Sequence, residues 1–334
     1  MHVDILTDNR RVYTYESYAA KQVKRQFHQM GISCRHLSLS DGNFFQTVCA
    51  QVPDAILCFE RVGGFDKPIG DFFHCPTFHW ESNILGNAGL ALESKYAKVG
   101  FFDPSVQHPN VVFLPHAASL ELNCQQERPF DCITFTDVID LDNQIQTWEL
   151  LFGKADALAI VNEGLACPAS FSIGDLLFLR DRYQKAKIEW DMVHSIFSPL
   201  HIFGEHVGRG LLRRFPQTVT LHGNLSYMGA LSILSKSKIL LSHQMSGGFD
   251  RWFLPALFCG SLVITNETPY LQEMVGDQFE IFYPSQNWEA MEERACYFLE
   301  HPEKREEIVK ALQEKLEPKH NWGVRTSQLI NYLR

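Results

Sequence analysis

The sequence predicts an α/β protein of two Rossmann-like domains facing a cleft, and three observations carry that prediction. The chain has 334 residues, too many for one ordinary core and suited to two domains of ~150 residues each. Short apolar runs alternate with stretches of helical periodicity, the β-α-β rhythm of an open parallel sheet. That rhythm gives way to a helical stretch near the middle of the chain and then restarts.

In order, Val3–Leu6 reads as a short strand closed by Thr7, Asp8 and Asn9. Ala20, Val23, Phe27 and Met30 recur at helical spacing and stop before Gly31, a residue suited to ending a helix. His36–Leu39 reads as a strand, Phe44–Val52 as a helix, and Ala55–Phe59 as a buried strand ahead of Gly63 and Gly64. Thr77–Trp80, Lys98–Phe102 and Val111–Leu114 add further strands. From about Asn143 to Ile196 the pattern turns helical, with Ile145, Trp148, Leu151 and Phe152 on one stripe. Strand signals then return at Leu200–Phe203, Val219–Leu221, Ile239–Leu241, Leu262–Ile264 and Glu280–Phe282. Trp288, Met291, Ala295 and Phe298 mark a helix, and the tail from Pro302 to Arg334 is charged and helical. The expected division is a first domain with a helical extension over 1–195, a second over 196–318, and a terminal helix over 319–334 that packs back toward the first.

Composition narrows the class. The chain is 45% hydrophobic and 21% charged, which is globular usage. A net charge of −9 argues against a nucleic-acid partner, because a phosphate backbone demands a basic face. The nine cysteines include no C-x-x-C pair, so they read as reduced, mostly buried thiols rather than a disulfide frame or a zinc site. The start, MHVDILTDNRR, lacks the basic and apolar regions of a signal peptide. With no window of ~18 uninterrupted apolar residues, the expectation is a soluble, cytoplasmic protein. The basic run RGLLRRF (209–215) reads either as a peripheral membrane contact or as a solvated helix face.

Several stretches resemble, in order, the C-terminal half of group 1 glycosyltransferases of the spore-maturation-protein-like type. They are IFGEHVGRG (202–210), LHGNLSYMGALSILSKSKILLS (221–242), RWFLPALFCGSLVITN (251–266) and HNWGVRTSQLINYL (320–333). In the first half, PTFHWESN (76–83) and VVFLPHAAS (111–119) look like the family's acceptor-domain strand ends. The resemblance implies a GT-B fold, with 1–195 as acceptor domain and 196–318 as nucleotide-sugar-binding domain. It implies sugar transfer from a nucleotide-diphosphate donor, with no other cofactor and no metal. The acceptor stays open among glycan, lipid, small molecule and protein.

Sugar transfer requires that a leaving diphosphate be neutralised, the donor hydroxyls gripped, and the acceptor oriented and often deprotonated. For the diphosphate, Gly247 and Gly248 precede a helix start whose free N–H groups favour an anion. Arg251 can donate a fork to phosphate oxygens. The competing reading is an ordinary helix-start turn, with Asp250 as its cap and Arg251 in a surface ion pair. His222, Gly223 and Asn224 follow a strand end, the favoured crevice of an open α/β sheet, or form a tight turn. Gly204 carries the same pair of readings, as a glycine admitting the diphosphate or as a turn, with Glu205 beside it a surface acid. His243 after Ile239–Leu241 reads either as a donor to a phosphate or sugar oxygen or as a satisfied buried histidine.

One departure stands out. Where the resemblance implies a helix glutamate gripping the donor ribose, the chain has Pro255, and the acidic position seven residues upstream is Gly248. Glu267 and Glu273 are the nearest acids able to take over, Glu273 being placed at the start of a short helix after Pro269. On the acceptor side a general base should sit at a strand end facing the cleft. Asp8, Glu60, Glu81 and His116 qualify by position, with His116 after an apolar strand ranked first. Besides an active enzyme, two readings remain: a catalytically lapsed GT-B protein serving as a binding or scaffold module, and another two-Rossmann protein such as an epimerase or ligand binder.

Overall fold

The computed structural model describes residues 1–7, 14–59, 68–80, 92, 94–102, 104, 108–120, 127–135, 146, 149–150, 153, 219–220, 226–242, 251–276, 280–284 and 287–334. Six strands form the first sheet: β1 (His2–Thr7), β2 (Ser33–Ser38), β3 (Ala55–Phe59), β4 (Thr77–Trp80), β5 (Ala97–Phe101) and β6 (Val111–Phe113). Their order is β2-β1-β3-β4-β5-β6, and every neighbouring pair is parallel. Helices α1 (Tyr15–Gln29), α2 (Phe44–Ala50) and α3 (Ile69–Phe73) accompany them.

The period-2 alternation of strands sorts the side chains into two cores. Val3, Ile5, Leu57 and Phe59 share one with Ala19, Ala20, Val23 and Phe27 of α1. Leu6, Ile56 and Cys58 face the other, with Phe44 and Val48 of α2 and Ile69 of α3. A parallel sheet covered on both faces leaves its inner strands no solvent side, so β3 and β4 are buried along their whole length. Asp4 is fully buried in β1 and takes a two-pronged ion pair from Arg35 of β2, at 2.8 Å from Nε and 2.6 Å from Nη2. Helix α1 begins where Thr14 accepts the Ser17 N–H and ends before Gly31, whose φ of 72° is open to glycine at no steric cost.

The second sheet holds β7 (Phe130–Thr134), β8 (Val219–Thr220), β9 (Ser237–Leu241), β10 (Leu262–Asn266) and β11 (Phe282–Tyr283). Its order is β11-β10-β9-β7-β8, again parallel throughout. Around it lie α4 (Tyr227–Leu234), α5 (Phe253–Phe258), α6 (Pro269–Val275), α7 (Trp288–Glu300), α8 (Pro302–His320) and α9 (Trp322–Leu333).

Strand β7 has no counterpart in the sequence reading. Asp131 breaks its apolar run, and the charge is met by Lys238 on the neighbouring strand at 2.6 Å, a pairing visible only once the sheet is formed. This sheet therefore takes in chain from residue 130, well ahead of position 196. Glu280 lies in a turn, and β11 begins at Phe282. The expected strand Leu200–Phe203 lies outside the described residues, as does nearly all of the helical stretch over 143–196.

Each sheet reverses its winding once, between β1 and β3 in the first and between β7 and β9 in the second. Ligands of open α/β sheets bind beyond the strand carboxyl ends at such reversals. Helix α9 leaves the second sheet and packs on the first unit. Tyr332 stacks on Phe78 of β4 at 5.6 Å, Trp322 meets Trp80 at 6.1 Å, and Ala118 bridges to Asn321.

Candidate functional site

Among the described residues, most side chains at the junction of the two units lie at or just after strand carboxyl ends. Tyr15 and Glu16 open α1, the helix after β1, and His116 lies just beyond β6. From the second unit come Phe135 after β7, Tyr227 opening α4, Arg251 and Trp252 before α5, and Tyr270 in α6 after β10. The carboxyl ends of the two sheets thus face one junction. Its centre is aromatic: Tyr15 meets Tyr227 edge-on at 5.3 Å, Tyr227 stacks on Trp252 at 5.3 Å, and Trp252 stacks on Phe135 at 4.2 Å. Phe113 and Tyr270 cross the junction separately, edge-on at 4.7 Å.

The polar atoms of this junction lie close together. The His116 Nδ1 is 3.1 Å from the Tyr15 hydroxyl, and the imidazole stacks on Phe102 at 5.5 Å. Burial pushes the His116 pKa down to about 3, helped by the positive charges of Arg251 and Arg325 and opposed by Glu16. The imidazole is therefore neutral. Burial, and then the Glu16 charge, push the Tyr15 phenol far above its ordinary range. Among the described residues, His116 Nε2, Tyr227 OH, Trp80 Nε1 and Trp322 Nε1 are buried and without a hydrogen-bond partner. Leaving a buried polar atom unpaired costs about 1–3 kcal/mol.

Across the junction, Arg251 Nη1 lies 3.2 Å from Glu16 Oε1. The guanidinium also sits 5.5 Å from the Trp252 ring centre, a cation–π distance. Behind them, Arg325 of α9 is buried and donates from Nε to the His116 carbonyl at 3.4 Å and from Nη1 to Gln328 at 2.7 Å. Its Nη2 donates to His320 Nδ1. Burial brings the Arg325 pKa down to about 10, still charged at neutral pH, and burial with the Arg325 charge brings His320 down to about 3. A buried guanidinium held by neutral acceptors fixes the turn between α8 and α9 against the segment that holds His116.

The candidates named from sequence fare unequally. His116 does stand at a strand end, but it is 1% exposed and does not face an open cleft. Tyr15, Phe102 and the Arg325 side chain enclose it. Arg251 is at the junction and already carries an anion, from the other unit rather than from its own surface. Helix α5 starts at Phe253 with Trp252 as its N-cap and no side-chain cap bond among the described residues. Pro255 is the third residue of that helix, where the N–H would be unpaired in any case, and the helix continues undisturbed, Cys259 N–H donating to the Pro255 carbonyl at 2.9 Å. Glu267 is exposed just past β10, beside the buried Thr265 and Asn266. Glu273 is exposed and lies in the second half of α6 rather than at its start, which Thr268 and Pro269 form. Asp8, Glu60, Glu81, Gly204, Glu205, His222, Gly223, Asn224, His243, Gly247, Gly248 and Asp250 lie outside the described residues. Among the described residues no group of three or more His, Cys, Asp or Glu is placed to hold a metal ion. Nor, among them, is any helix long and apolar enough to cross a membrane.

Sequence reading did not single out Tyr15, Glu16, Tyr227, Trp252 or Arg325. For all but Arg325, which lies in α9, the available signal was that aromatic and charged residues recur just after strand ends.

Residues 184–331 match the family model described as glycosyl transferase-like. No curated protein matches the chain. Among solved structures, an alpha-glucosyltransferase in complex with UDP is similar at TM-score 0.59 and 9% identity, covering 100% of this chain and 99% of that one. Sucrose-phosphate synthase from Thermosynechococcus elongatus is similar at TM-score 0.56 and 9% identity, covering 99% and 98%. The Anabaena HepE protein in complex with UDP-glucose is similar at TM-score 0.53 and 11% identity, covering 100% and 99%. The chain has the fold of these proteins, two Rossmann-like units of the GT-B type, over its whole length.

Proposed function

We propose that this protein is a nucleotide-sugar-dependent glycosyltransferase, moving a sugar from a nucleotide-diphosphate donor to an acceptor at the junction of its two units. The observation that carries this reading is the position of the matched segment. Residues 184–331 include every second-unit side chain described at the junction apart from Phe135, and the start of α9 that returns to the first unit. The spore-maturation-like group is the subfamily we favour, on the ordered motifs given above.

On this reading the second unit takes the donor. Arg251 reaches the diphosphate, with Gly204, His222, Gly223, Asn224, His243, Gly247 and Gly248 as the further donor-binding candidates. The Pro255 side chain has no acceptor for ribose hydroxyls, and the exposed Glu267 just past β10 replaces it more readily than Glu273 does. The first unit takes the acceptor. A base works best with a pKa near the operating pH, and a buried imidazole at about 3 is too weak. His116 therefore positions Tyr15, and the carboxylates Asp8 and Glu81, which follow β1 and β4 in sequence, are the better bases. The protein works in the cytoplasm, without a metal, on an acceptor other than nucleic acid.

A lapsed enzyme serving as a scaffold is the second reading. It is favoured by Pro255 at the ribose position together with an Arg251 already paired to Glu16. Thermal unfolding in millimolar nucleoside diphosphates and nucleotide sugars separates the two, because a ligand bound only by the folded state raises the melting temperature. A rise with at least one uridine or other nucleotide sugar, absent from Arg251→Ala, supports the enzyme. No rise with any of them sinks it.

A further inference from the structure

The Glu16–Arg251 pair is unusual in its setting. Glu16 occupies the second position of α1, where a carboxylate is favoured by the helix dipole, yet it is buried, its side chain 8% exposed. A buried carboxylate is costly unless it is paired, and part of its compensation comes from the other unit of the protein. Arg251 is different, with its side chain 39% exposed and its planar fork able to serve more than one anion. The pair therefore joins a fixed acid to a cation that solvent, and an anion in solvent, can reach. Aromatic packing on both sides holds the acid in place: Tyr15 beside it is in edge contact with Tyr227, and Trp252 beside the arginine stacks on the same ring.

We propose that Glu16 is a competing anion for Arg251. In the unliganded protein its carboxylate occupies the guanidinium that the donor diphosphate takes, so that binding the donor exchanges an ion pair between the two units for a phosphate contact. This rests on the donor site proposed above. The exchange makes the junction sense the diphosphate: once Arg251 turns to phosphate, Glu16 loses that compensation, and the unit carrying α1 loses a bond to the unit carrying α5. Donor affinity is set below what Arg251 alone would supply, and release of the nucleoside diphosphate is helped by a carboxylate waiting to take the arginine back.

The test is the affinity for UDP, measured by titration calorimetry on the full chain. Glu16→Gln removes the competing charge and keeps the shape. Glu16→Asp keeps the charge but shortens the reach, breaking a 3.2 Å contact. Both should tighten UDP binding, Glu16→Gln by about fivefold, the scale of one partly exposed ion pair. Glu16→Asp separates competition from simple repulsion, since repulsion between the carboxylate and the diphosphate survives in it. A gain in Glu16→Gln alone, with Glu16→Asp like the parent, overturns the competition and leaves the donor site standing. Unchanged or weaker binding in both variants does the same. If neither the parent nor either variant binds UDP or any other nucleoside diphosphate, the donor site and the competition fall together.

Discussion

Acidification should destabilise this protein through three histidines buried in the neutral form. His79, His116 and His320 have pKa values brought down to about 4, 3 and 3 by burial, with Arg251 and Arg325 adding to the effect at His116 and Arg325 at His320. In the unfolded chain each returns to about 6.5. Between those values the unfolded state binds more protons than the folded one, so stability rises with pH across the window and is lost as pH falls below about 6.5. At pH 5.5 each unfolded histidine gains RT ln(1 + 10), about 1.4 kcal/mol, and at pH 7.5 almost nothing. Three such groups together remove about 4 kcal/mol, a large part of the ~5–15 kcal/mol that holds a typical fold. Carboxylates contribute little above pH ~5 because their unfolded pKa values lie near 4. Urea titrations followed by far-UV circular dichroism at the two pH values measure the difference. His79→Gln, which removes one of the three imidazoles, should shrink it by about 1.4 kcal/mol. A difference below about 1 kcal/mol in the parent protein would refute the claim that these imidazoles are buried and neutral.

Two stability predictions follow from packing. A methyl group added at Gly100 would lie 2.5 Å from Phe78 Cζ and 2.6 Å from Cε1, so Gly100→Ala must displace the ring on which Tyr332 stacks. The expected loss is about 1–3 kcal/mol, read as a lower urea midpoint, with α9 the more easily cleaved in limited proteolysis. Arg35→Ala leaves Asp4 buried without its arginine, an expected loss of about 3–5 kcal/mol. The double variant Arg35→Ala with Asp4→Asn should recover part of it in the same titration.

Much of the scaffold was legible in the sequence because it depends on local pattern. The all-apolar runs of β3 and β4 and the spacing of Ala20, Val23 and Phe27 are properties of neighbouring residues, and hydrophobic period alone turns them into strands and a helix. The strand β7 escaped because its Asp131 is compensated by Lys238 from 107 positions away. The candidate site was legible only in outline. Strand ends could be named, and His116 and Arg251 both stand at the junction, but their states could not. Whether His116 is a base or a buried neutral ring depends on Tyr15, Phe102 and Arg325, which are distant in sequence from it or from one another.

Sequence by itself therefore determined the two Rossmann-like units, their strand-and-helix order and the segment that resembles a glycosyltransferase. Tertiary structure alone decided that the carboxyl ends of both sheets meet, which side chains of α9 touch the first unit, and that Arg251 meets Glu16 across 235 positions. The physical reason is that secondary structure follows from periodicity along the chain. Charge state, burial and ion pairing follow from which surfaces the fold removes from water, and those surfaces are assembled from residues that no local window contains.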